Sequence, residues 1–204
     1  QVTPATSLND DERVTQLGLD AVDALHRNAE DSGLRVYHYG ITVNNPIGRA
    51  YYGLYNSLSV LVETRGIGAG ATNFERRVYS QQLSAHSIID YAVANDDAIN
   101  EAVADARLQV IADGEAFNSD DIVVLHQVAS GATQSATPLT RYQYSVDGSD
   151  TKTSSATLAI NDTVVRSRIR PTAYVIPKDI PNAEKILYIL DNQGAEYYGL
   201  APGS

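Results

Sequence analysis

An α/β fold followed by a small β-rich region is the class this sequence predicts, and three observations predict it. Before residue 115, two long stretches of helical apolar spacing flank one dense apolar run, Leu58–Val62. From about Ala116 the period drops to two, with Ser, Thr, Gly and Asp turns between the runs. At 204 residues, 43% hydrophobic, the chain can form one large domain or two small ones around a core that needs no staples. The change of period places a boundary between residues 1–114 and 115–204.

The elements follow in order. Asn9 with Glu12 three residues on has capping-box spacing, and Val14, Leu17, Ala21, Val22 and Leu25 continue as an apolar stripe, so a helix is expected up to Gly33. "LRVYHYG" (Leu34–Gly40) reads as a short strand, and "ITVNNPIGRAYYG" as a loop with turn chemistry at Asn45-Pro46 and Gly48. "NSLSVLVE" reads as a strand covered on both faces, because its apolar density exceeds simple alternation. "GIGAGATN" is a turned loop. Asn73 then caps one long helix or two consecutive ones, with Phe74, Val78, Ala85, Ile88, Ala92, Ile99, Val103 and Ala106 as the buried side. Beyond residue 115, "DIVVLHQVA", "PLTRYQYSVD", "SSATLAIND" and "TVVRSRIRPTAYVIP" alternate as strands. "NAEKILYILDNQG" makes a last helix after Pro181 that stops at Gly194, and "AEYYGL" is expected as a terminal strand.

Composition removes several functions. There is no cysteine, so disulfides and thiolate metal sites are excluded. A net charge of −10, from 25 acidic and 15 basic residues, argues against nucleic acid or an anionic membrane as the main partner. No apolar run approaches the roughly 18 residues of a membrane span, and no signal peptide is visible. The start at Gln1, in a chain with no Met, suggests a processed piece of a longer product.

Chemistry concentrates on Glu63. A carboxylate at the carboxyl end of an α/β strand stands where ligand crevices form, and partial desolvation there would raise its pKa toward the range of a general base. The competing reading is a structural ion pair with Arg49, Arg65 or Arg76. Arg49 lies just before the strand among Tyr51, Tyr52 and Tyr55; its guanidinium can grip a carboxylate with two parallel hydrogen bonds, or simply stack on a tyrosine. His26 and Glu30 share a helix face, but two ligands make a weak metal site, so they are expected in solvent. His38, near a strand end, reads as a hydrogen-bonded structural histidine; His86 and His126 read as packing or surface residues. No H-x-x-E, H-E-x-x-H or G-x-S-x-G occurs, and "GIGAG" lacks a phosphate-binding pattern.

The order "GLRVYHYG", "IGRAYYGLYNSLSVLVETRG", "NFERRVYSQQLSAHSIIDYA" resembles the C-terminal half of zinc metallocarboxypeptidases of the carboxypeptidase A-like family, over about Asp10–Asp113. The most specific element is "GLYNSLSVLVET", a strand ending on Glu behind a Gly-Arg-x-Tyr loop. The tail, "RIRPTAYVIP" through "EYYGL", is similar to the β-rich segment that some bacterial members carry after the peptidase fold. The resemblance implies that residues 1–114 are the C-terminal part of a mixed-sheet metallocarboxypeptidase-like domain. Residues 115–204 are then a β-rich extension with a terminal helix.

The resemblance further implies a catalytic role for Glu63, as the base that takes a proton from a zinc-bound water and passes it to the leaving amine. Arg49 and Tyr52 become candidate walls of the substrate pocket. Two departures matter. The family's zinc ligands and its carboxylate-gripping asparagine–arginine pair lie on sequence absent here. The family's mobile tyrosine should fall at Ile41–Val43, where there is none, and none of Tyr37, Tyr39, Tyr51 or Tyr52 takes its place by position alone. The expectation is a peptide-hydrolysing enzyme part, inactive alone. Its zinc would be bound by residues outside this chain, with a companion chain carrying the metal-binding half. The alternative is a non-catalytic binding or assembly module with Glu63 in an ion pair. Export from the cell is compatible with the family and the lack of cysteine.

Overall fold

A computed structural model describes residues 2–36, 47–64, 70–128, 139–144, 151–156 and 162–200, with 139–144 and 151–156 described by backbone alone. It divides into two compact units, Gln1–Arg170 and Pro171–Ser204. The architecture is mixed α/β, and the described strands form three antiparallel pairs.

The first unit is organised around helix α1 (Glu12–Asp31). Its N-cap is Asp11, whose carboxylate accepts from the Arg13 and Val14 amides at 2.9 and 3.2 Å. Asn9, expected as the cap, is used elsewhere: its amide donates to Val124 O and accepts from Val124 N, both at 2.8 Å. The expected stripe is the buried one, with Val14, Ala21, Val22 and Leu25 inside and Leu17 packed against them. Gly33 stops the helix at φ 73°, with Gly33 N bonded to Glu30 O and Leu34 N to Ala29 O. These two bonds are the Schellman pattern, which needs a left-handed residue.

Strand β1 (Val2–Pro4), which the polar opening did not announce, pairs antiparallel with β2 (Val60–Val62), Val2 opposite Val62 and Thr3 opposite Leu61. Ala5 N bonds Ser59 O at 2.9 Å. By the alternation of an antiparallel ladder, Pro4 therefore stands where its missing N–H faces away from β2. Val2, Val22, Leu25, Ala29 and Val36 form the main core, with Val60, Val62, Leu83 and Ile88 packed on it. The stretch expected as a strand from Leu34 is irregular over residues 34–36, and Tyr37–Gly40 lie outside the described residues. The expected loop carries a short helix instead, α2 (Gly48–Gly53).

Helices α3 (Phe74–Ala94) and α4 (Asp96–Glu115) are two, divided at Asn95, whose backbone and side-chain amides both donate to Tyr91 O. The expected buried side of α3 is corrected in part: Ile88 packs on the core, but Phe74, Val78 and Ala85 are exposed, and the helix buries Ser84 and Ser87. Each serine bonds the carbonyl four residues back, at 2.8 Å, so its hydroxyl is satisfied inside. Asn28 of α1 also donates to Ser87 Oγ at 3.1 Å. Small, self-satisfied side chains let the two helices approach closely. On α4, Ala102 and Ala106 meet Val14 in a second core cluster.

Strands β3 (Ile122–Val128) and β6 (Thr163–Ile169) pair antiparallel, with register shifts on both sides of His126. Strands β4 (Leu139–Tyr144) and β5 (Thr151–Ala156) pair in between, Leu139 opposite Ala156. Beyond the register shift Gln127 turns inward and is buried; its amide accepts from Leu8 N at 2.8 Å and donates to Thr6 O at 3.0 Å. Asn9 and Gln127 thus moor the amino-terminal segment to β3 from both directions. In the second unit, α5 (Ala183–Asn192) stops at Gly194 with the same two-bond pattern as α1. The expected terminal strand is absent: residues 195–200 are irregular, and Tyr197 Oη donates to Asp191 at 2.9 Å, folding the segment toward α5.

Candidate functional site

Glu63 is the first residue after β2 and its side chain is exposed. The strand before it is half-buried, so the charge is displayed where the apolar run meets solvent, and the expected partial desolvation does not surround it. The next residue, Thr64, accepts a hydrogen bond from Gln81 of α3 at 3.4 Å, which ties the exit of the strand to that helix. Arg65 lies outside the described residues.

Arg49 and Tyr52 both belong to α2, in opposite environments. Arg49 is 6% exposed and Tyr52 60%. Tyr51, Tyr52 and Tyr55 form an aromatic ledge, with ring centroids 5.5 Å apart for Tyr51–Tyr52 and 5.2 Å for Tyr51–Tyr55. The phenol oxygens of Tyr51 and Tyr55 lie 3.1 Å apart, and that hydrogen bond holds the Tyr51 phenol above its ordinary pKa. Arg49 and Gly53, four positions apart, form the buried side of α2, and Tyr51 and Tyr55, also four apart, share the exposed one.

The connection from α2 into β2 is braced by residues that the sequence did not single out. Asn56, buried at φ 50°, accepts the Asp11 amide at 2.9 Å through its side-chain oxygen. Arg107 of α4 donates to Tyr55 O at 3.2 Å and to Ser57 Oγ at 3.3 Å. Behind them Asp10 is largely buried, and desolvation pushes its pKa up to about 6, opposed by a hydrogen bond from the Ser7 amide. Asp10 borders a cavity of ≈ 10 Å³, about the room one water needs, shared with Thr15, Gly53, Ser57 and Ser59. An Asn-Asp-Asp run shows that a helix begins there; which aspartate caps and which turns inward depends on what packs behind it. A more open groove of ≈ 430 Å³ lies between α1 and α4, where Arg13 bridges Asp105 at 3.2 Å.

Among the described residues no three His, Asp or Glu side chains gather as a metal cage. His26, expected in solvent, is 2% exposed on the core side of α1. His86 and His126 are exposed, and His38 lies outside the described residues. No described helix is long and apolar enough to cross a membrane.

Comparison with known proteins finds relatives named as carboxypeptidases. The chain is 29% identical to "Probable carboxypeptidase 2" of Trichophyton verrucosum, over 91% of this chain and 37% of that protein. It is 28% identical to "Carboxypeptidase 2" of Trichophyton tonsurans, over 91% of this chain and 36% of the relative. Against "Probable carboxypeptidase 2" of Arthroderma benhamiae it is 30% identical over 70% of this chain and 26% of the relative. The chain therefore spans between about a quarter and little more than a third of the length of these curated relatives. No family model matches, and no solved structure matches. These similarities relate the chain to carboxypeptidases, and all three of these relatives are fungal; a bacterial affiliation has no support among them.

Proposed function

We propose that this chain is part of a carboxypeptidase-like peptidase that removes C-terminal residues from peptides, and that Glu63 is its general base. The observation that carries the reading is the similarity to carboxypeptidase 2 across 91% of the chain. The exposed position of Glu63 at the end of β2 supports the assignment, since a base must reach the proton it abstracts. Tyr52 and Arg49 are the pocket-wall positions of this reading, Tyr52 by its exposed ring and Arg49 as the buried base of that wall. The resemblance to the metallocarboxypeptidases brings zinc into the reading. In this reading the metal's ligands, as the resemblance implies, lie on sequence outside this chain, on a companion polypeptide that completes the enzyme. What this chain supplies is a carboxylate at a strand exit that the Gln81–Thr64 hydrogen bond ties to α3. Its task is to accept a proton from the attacking water and return it to the leaving amine.

Release of the terminal amino acid from a blocked dipeptide tests the reading. The present chain is mixed with a polypeptide covering the part of the T. verrucosum relative that it does not match. Hydrolysis is expected only from the mixture, and Glu63→Gln is expected to lower turnover by about 10²-fold or more. Full turnover in that variant refutes the base assignment. The exposure of Glu63 also gives weight to a second reading, a non-catalytic binding or assembly module whose Glu63 serves in an ion pair. A mixture that binds but never cleaves supports it.

A further inference from the structure

Helix α3 carries apolar side chains on two opposite sides. Toward the core it sets Leu83 and Ile88 beside the buried Ser84 and Ser87. On the far side Phe74, Val78, Ile89 and Val93 are 61, 49, 59 and 71% exposed. With the exposed Gln82 and Ala85 they make two rows at i+4 spacing, Phe74–Val78–Gln82 and Ala85–Ile89–Val93, along one face. A helix apolar on both sides is ordinarily covered on both, and a contiguous apolar stripe marks an interaction surface.

We propose that a second copy of this chain covers the stripe, with α3 packed antiparallel on α3 across a two-fold axis near residues 83 and 84. The spacing of the stripe reads four, four, three, four, four from either end. An antiparallel copy therefore presents the same ridges to the same grooves, the self-complementarity that a two-fold interface requires. Rows at i+4 spacing interdigitate at a crossing of about −50°, and Ala85 is small where the axes come closest. Charge selects the same place. In a chain of net charge −10, the segment from Val78 to Ile89 holds no Asp, Glu, Lys or Arg. Two equally acidic molecules repel each other least where both are uncharged. Glu75, Arg76 and Asp90 stand at the ends of that segment as a polar rim. One helix laid on its copy covers on the order of 1,000 Å², the lower end of specific interfaces, so the dimer is weak and concentration-dependent. The inference stands independently of the peptidase reading.

Sedimentation velocity on the whole chain, from about 1 to 200 μM, tests it on the scale of weak interfaces. The mass is expected to rise from 22.0 kDa toward twice that value. Ile89→Glu, at an exposed position, is expected to keep the wild-type circular dichroism and weaken self-association at least about tenfold, the effect of burying a charge at the crossing. Because the chain has no cysteine, single cysteines report the orientation. Val78→Cys and Ile89→Cys chains are expected to form a mixed disulfide with each other, and Val78→Cys alone to form none. A monomer at 200 μM, a dimer unchanged by Ile89→Glu, or efficient Val78→Cys self-linkage overturns the proposal; the cross-linking arm holds even if the glutamate variant fails to fold.

Discussion

A methyl group on Gly53 would lie 2.6 Å from Ala5 Cβ and 2.7 Å from Asp10 Oδ2, closer than real side chains approach. The absence of a side chain is thus what lets α2 end against the amino-terminal segment and present its tyrosines. Gly53→Ala is expected to destabilise the chain by about 1–3 kcal/mol through overpacking, read as a lower urea midpoint at unchanged slope. Asp10, on the other side of that contact, makes a pH prediction. Its folded-state value of about 6, against 3.8 for an ordinary aspartate, means that the folded chain holds the proton more tightly than the unfolded one. The Asp10 contribution is therefore full below pH 4 and lost as pH rises through 6, on the order of 3 kcal/mol in all. Asp10→Asn is expected to remove that fall, so urea unfolding from pH 4 to 7 should show the variant gaining on the wild type as pH rises. Equal differences at both ends of the range would show that Asp10 is not desolvated. Neither residue is conspicuous in the sequence: a glycine in "YYGLY" and the first aspartate of "NDDE" gain their roles only from what packs against them.

At the scale of elements, periodicity and punctuation were legible. The stripe of α1, the stops at Gly33 and Gly194 and the strands β3 and β4 follow from local rules, because each is satisfied within a few residues of the chain. The strand read from Ser154 begins at Thr151 instead and shares only residues 154–156 with the expectation, and the strand read from Thr163 to Pro177 ends at Ile169. The face of α3 was not legible. Its sequence offers two apolar sides, one with Phe74, Val78 and Ala85 and one with Leu83 and Ile88 among serines, and the serine-free side is the more apolar. The fold buries the serines, whose hydroxyls are already bonded to their own helix. Also beyond local reading is the mooring of β3 by two amide side chains acting across more than a hundred residues. Replacing Asn9 or Gln127 with Ala leaves backbone groups at Val124, or at Thr6 and Leu8, without partners. Each change is expected to cost about 1–3 kcal/mol. Faster hydrogen exchange is expected at the Val124 amide for Asn9→Ala, and at the Leu8 amide for Gln127→Ala. Exchange unchanged in both variants would show the mooring to be energetically idle.

For the whole molecule the excess of acidic residues is the dominant long-range term. A net charge of −10 opposes compaction, and salt screens it over a Debye length of about 8–10 Å near physiological strength. Thermal unfolding at pH 7 is expected to move up by a few degrees between about 10 and 200 mM NaCl. A fall would show that local ion pairs, not net repulsion, govern stability. The candidate site shows the same division of scales. The sequence picked out Glu63 because a carboxylate ends an apolar run, but it placed that residue in a two-sided crevice. In the fold, β2 is paired with β1, a strand whose three residues lie fifty-eight positions earlier and carry no alternation long enough to detect.

By itself the sequence determined the period of each element, the residues able to start and stop them, and which functional classes its charge and missing cysteines leave open. Those properties are local or additive, so they need no coordinates. Tertiary structure alone decided which face of α3 is inside, which aspartate caps α1, that Arg49 and His26 are buried, and that Glu63 meets solvent. Each of these depends on which distant surface arrives to exclude water, and the free energy of burial belongs to the pair of surfaces and not to either segment.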